Sequence, residues 1–79
     1  MNLRANIKYC GNTACFEIYR DSPGVYHADL VYFDGDTKIS PPAKITLIRG
    51  MRKWTGSCED VELLNHLGRV IEESYLNTV

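Results

Sequence analysis

The residues of this chain best suited to chemistry are three cysteines, two histidines and the acidic cluster Asp34-Gly35-Asp36. Cys10 and Cys15 flank an expected hairpin turn, and with Cys58, His27 and His66 they include the side-chain types that bind zinc. A zinc site needs its ligands to converge. No Cys-x-x-Cys spacing occurs, and strand alternation sets the first two thiols on the sheet face away from the helix that Cys58 opens. The expectation is therefore free thiols and no metal or cofactor. Cys58 at a helix N-terminus would be the most reactive of the three, but no base stands beside it to make it a nucleophile. Asp34-Gly35-Asp36 reads as a turn, since the later ligands of a calcium loop do not follow it. His27 beside Glu17 or Tyr19 could form an acid–base pair, yet an open sheet surface offers no pocket to exclude water. Neither a glycine-rich phosphate loop nor a nucleophile elbow is written into the chain. The expected function is binding, not catalysis.

Two sets of residues could bind. Lys38, Lys44, Arg49, Arg52, Lys53 and Trp54 fall in a stretch, Thr37 to Gly56, with five positive residues and no acid, whereas Ser57 to Val79 carries five acids and one arginine. Cations beside an aromatic can hold phosphates and stack a base, which is the pattern of a single-stranded nucleic-acid binder. The competing reading has Trp54 plugging the open end between sheet and helix while its charged neighbours are merely solvated. The formal net charge of −1 favours that second reading. The other set is apolar: Tyr19, Val31 and Phe33 gather on the outer sheet face with His27 and Cys15 near them, and Leu63 and Val70 flank the helix. Such patches fit a protein partner or a second protomer, as an adaptor or inhibitor would need. Scattered exposed apolar residues are also ordinary.

The elements that position these groups follow from periodicity and turn chemistry. Leu3, Ala5, Ile7 and Tyr9 alternate with Arg4, Asn6 and Lys8, giving a strand over 3–9. Gly11-Asn12 is the expected turn, pairing Cys10 with Thr13, Ile7 with Phe16 and Ala5 with Ile18 in a second strand over 14–20. Pro23-Gly24 turns the chain into a third strand over 25–33, with Tyr26, Ala28, Leu30 and Tyr32 inward and Val31 and Phe33 outward. Asp34-Gly35 then turns it into an edge strand over 38–49, broken at Pro41-Pro42 because neither proline can donate to a ladder. Residues 50–56 carry the chain to a helix over 58–75, capped by Ser57. Its inner stripe is Val61, Leu64, Leu67, Gly68, Ile71 and Tyr75. Gly68 on the apolar side implies close approach to the sheet, because glycine there otherwise costs about 1 kcal/mol against alanine.

The predicted architecture is a single α+β domain over 1–79: a four-stranded antiparallel meander with one C-terminal helix packed on one face. Its element order is similar to that of small single-strand binders of the transcriptional-coactivator and whirly kind, a likeness that transfers no site. A chain of 79 residues buries only about 60% of its unfolded surface, which makes dimerisation a plausible source of added stability. The start of the chain lacks the apolar core of a signal peptide, and no segment approaches a membrane span, so a cytoplasmic protein is expected.

Overall fold

The computed structural model describes residues 3–76, with side chains through Ser74. It has the expected class, an antiparallel sheet with one C-terminal helix against it, but with five strands: β1 (Leu3–Tyr9), β2 (Asn12–Ser22), β3 (Val25–Phe33), β4 (Lys44–Arg49) and β5 (Trp54–Gly56), followed by α1 (Val61–Ile71). The strands lie side by side in chain order. The π-helical stretch Glu72–Leu76 extends α1.

The first hairpin turns one residue earlier than expected. Tyr9 pairs with Asn12 and Ile7 with Ala14, so Cys10-Gly11 forms the turn. Both residues have positive φ, 51° and 78°, the signature of a type I′ turn, which favours glycine in the second position. Asn12 donates its side-chain amide to the Cys10 carbonyl at 3.1 Å. Because the pairing moves by an even step, Ala5, Phe16 and Ile18 stay on the inner face as expected. At the second turn Gly24 takes φ 80° after Pro23, and the register slips at Asp21. A turn of that hand fits strand twist poorly, and the extra residue absorbs the mismatch.

A second irregularity reorders the end of β3. Cys15 pairs with Tyr32 but Phe16 pairs with Leu30, leaving Val31 as the extra residue of a β-bulge. Past that point the alternation inverts. Tyr32 therefore points outward, whereas Phe33 joins the inner side, packing edge-on to Tyr9 at 6.2 Å between ring centroids. The expected faces of these two residues are reversed.

The strand expected over 38–49 begins only at Lys44. Residues ahead of it make a single 3-10 turn, Thr37–Ile39, in which the Asp36 carboxylate accepts from the Lys38 amide at 2.9 Å. Pro41-Pro42 thus excludes the segment from the ladder altogether, beyond bending it, and Asp34-Gly35 opens a long connection in place of a tight hairpin. In place of a plain connection, residues 50–56 hold a turn closed by the Gly50 amide on the Lys53 carbonyl, and then β5.

The helix starts later than expected. Ser57 is occupied with the sheet: its hydroxyl accepts from the Thr46 amide and its own amide donates to the Thr46 carbonyl, each at 3.0 Å. Asp60 is the cap, its carboxylate accepting from the Leu63 amide at 3.1 Å. This start turns the buried stripe to Leu63, Leu64, Leu67, Gly68 and Ile71 and leaves Val61 exposed. Burying each large aliphatic side chain of that stripe contributes about 1.5–3 kcal/mol. The side chain of Tyr75 lies outside those described. Gly68 does mark a close approach: a methyl group there would overlap the indole of Trp54 in β5.

Candidate functional site

The basic stretch does not form one site. Trp54 is only 6% exposed, packed edge-on to Tyr26 at 5.7 Å and donating its indole N–H to the Glu72 carboxylate at 2.9 Å. It closes the space between sheet and helix, so it cannot stack a base. Arg49, Arg52 and Lys53 are exposed at the tip of the β4–β5 hairpin, beside a fully exposed Met51. Lys44 opens β4 and so lies a strand length from Arg49, about 17 Å at about 3.3 Å per residue, while Lys38 belongs to the separate 3-10 turn ahead of the strand.

The outer face of the sheet is ordered in rows across β2, β3 and β4. Tyr19, His27 and Thr46 form one row and Val25 with Ile48 the next, while Glu17, Asp29 and Lys44 form a charged row that Arg4 extends through an ion pair with Glu17 at 3.7 Å. Beyond that charged row stand Tyr32 and the bulged Val31. The exposed apolar residues here are Tyr19 at 38%, Ile48 at 47%, Val31 at 49% and Tyr32 at 57%. Tyr19 and His27 come together as expected, with ring centroids 5.3 Å apart. Val31 is separated from them by the charged row, and Phe33 is on the other face. Val25 and Ile48 form the row next to Tyr19 and His27, and strand alternation in β4 was the signal that could have found Ile48.

His27 carries the most chemically suggestive geometry. Its Nε2 lies 3.3 Å from the Asp21 carboxylate and its Nδ1 lies 3.3 Å from the Thr46 hydroxyl, an acid–imidazole–hydroxyl chain. A hydrolytic site also needs donors for a developing oxyanion and a cleft that excludes water. Three clefts among the described residues are lined by groups other than Asp21, His27 and Thr46. The arrangement orients the imidazole beside Tyr19 and ties β2, β3 and β4 together on this face.

Of the two helix-flank residues, Leu63 is 2% exposed and belongs to the core, so it is not available to a partner. Val70 is half-buried at the edge of the core beside β1. The cysteines do not converge as ligands. Cys15 is buried on the outer face, paired with Tyr32 across the ladder, Cys10 is exposed in the first turn, and Cys58 is partly buried ahead of the helix without lying at its N-terminus. Among the described residues no three His, Cys, Asp or Glu side chains form a metal-binding group.

A cleft of about 260 Å³ between the first hairpin and α1 gathers Lys8, Tyr9, Cys10, Asp60, Glu62 and His66. Burial pushes the Tyr9 phenol above its ordinary 10.0, and the charges of Asp60, Cys10 and Cys58 and a hydrogen bond to Asp60 push it further. A phenol held neutral near the carboxylate that caps α1 sets the hairpin against the helix start, which is a structural role. Among the described residues no helix is long and apolar enough to cross a membrane. Comparison of the chain with protein-family models, with curated proteins and with solved structures returned no match.

Proposed function

We propose that this chain is a non-catalytic protein-interaction module, of adaptor or inhibitor type, acting through the open face of its sheet. The observation that carries the reading is the one-sided packing. The helix covers one face, and the other presents Tyr19 beside His27 with Val25 and Ile48 in the adjacent row. Aromatic and aliphatic anchors ringed by polar groups are the composition of a protein interface. A cytoplasmic setting accords with cysteines left as free thiols. A second copy of the chain is the rival occupant of this face.

Single-stranded nucleic-acid binding is the weaker reading, because the aromatic it relied on is buried and hydrogen-bonded. Three exposed cations at a hairpin tip remain to it. The test is an amide correlation spectrum of labelled protein at rising concentration, and then with a short mixed-sequence single strand at low and moderate salt. Concentration-dependent shifts at Tyr19, His27 and Ile48 support the outer-face reading. Shifts at Arg49 to Lys53 that collapse as salt rises overturn it in favour of phosphate binding.

A further inference from the structure

Among the described residues β1 is the outermost strand and no other strand pairs its outer edge, and a groove runs beside it. Tyr9 and Asn12 flank the two-residue turn and so exchange both of their backbone bonds. By alternation Arg4, Asn6 and Lys8 aim their N–H and C=O groups away from β2. Along this edge α1 leaves a groove of about 400 Å³, with Ile7 and Val70 as its apolar lining and Lys8, His66 and Arg69 around them. Neither Lys8 nor Arg69 makes an ion pair among the described residues.

We infer that β1 and this groove take an extended peptide segment of alternating apolar and acidic residues, added to the sheet as a sixth strand. The inference rests on the reading of the chain as a protein-binding module and gives it a second surface. Backbone groups at Arg4, Asn6 and Lys8 supply the ladder, the apolar side chains enter between Ile7 and Val70, and the acidic ones, on the opposite face by alternation, meet Arg4 and Lys8. Charge selects this occupant over a second copy. The register that pairs all of β1 with itself is centred on Asn6 and sets Arg4 opposite Lys8, and like charges directly opposed in a ladder repel. Arg4 and Lys8 also keep the edge from indiscriminate pairing, so the strand that does add must bring the opposite charge.

The experiment titrates labelled protein with an acetylated, amidated octapeptide of alternating glutamate and valine, and with a lysine–valine counterpart, following amide shifts and exchange. The glutamate peptide is expected to shift Arg4 to Lys8 and Arg69 to Val70 and to slow exchange of the Asn6 and Lys8 amides. Reversing both cations of that face, Arg4→Glu with Lys8→Glu, is expected to weaken binding about tenfold. Asn6→Pro removes an outward amide without touching the β1–β2 ladder and is expected to abolish binding. Should that variant fail to fold, the charge reversals decide alone. Equal binding of the lysine peptide, or no shift along β1, overturns the inference. So do shifts confined to Tyr19 and Ile48, an outcome that leaves the outer-face reading standing.

Discussion

Replacing Gly68 with alanine sets two effects of known sign against each other. Alanine is worth about 1 kcal/mol over glycine inside a helix, so propensity alone predicts a more stable protein. The added methyl, however, would fall on the Trp54 indole at Cδ1, Cγ and Nε1. That indole has little freedom to yield: it is buried, packed on Tyr26, and bonded to Glu72 at 2.9 Å. Overpacking a filled core costs about 1–3 kcal/mol, and pulling the indole from Glu72 forfeits about 0.5–1.5 kcal/mol. After the propensity gain, Gly68→Ala should lose about 1–3 kcal/mol, lowering Tm by about 5–20 °C for a domain of this size. Urea unfolding followed by the fluorescence of the sole tryptophan reads both the stability and the indole environment. Equal or higher stability with unchanged emission would refute the claim that glycine is there to admit Trp54.

Two further outcomes follow from Asp60 and Tyr9. Asp60→Ala removes the cap of α1 and the carboxylate near the Tyr9 phenol, and should cost about 1–2 kcal/mol, while Asp60→Asn keeps the cap and should cost less; chemical denaturation of both variants checks the order. With its pKa raised in the folded state, Tyr9 contributes stability that is fully present below its ordinary 10.0 and is lost as pH rises through the higher folded value. Denaturation midpoints taken from below to above pH 10.0 should therefore decline less steeply in Tyr9→Phe than in the parent; identical declines would remove Tyr9 from the account.

Period and turn chemistry made β1, β3, the Pro23-Gly24 turn and the inner face of the first hairpin legible, because local residues alone decide them. The bulge at Val31 leaves no mark in composition, so alternation carried past it placed Tyr32 and Phe33 on the wrong faces. Ser57 and Asp60 are both good caps by type. A tertiary contact chooses between them, since Ser57 is spent on Thr46. Trp54 was ambiguous for a similar reason: a basic loop with an aromatic looks the same whether the ring faces solvent or a glycine on a helix. Gly68, read as a place of close approach, was the clue to where that ring goes.

The central claim is that the open sheet face meets a protein. Placing a photo-crosslinking phenylalanine analogue at Ile48, and separately at Arg52, in the cells that make the chain asks which surface is occupied and by what. A discrete protein adduct from position 48, lost when Tyr19→Ser is added, is the result this account predicts. A nuclease-sensitive adduct from position 52, with none from position 48, would contradict it.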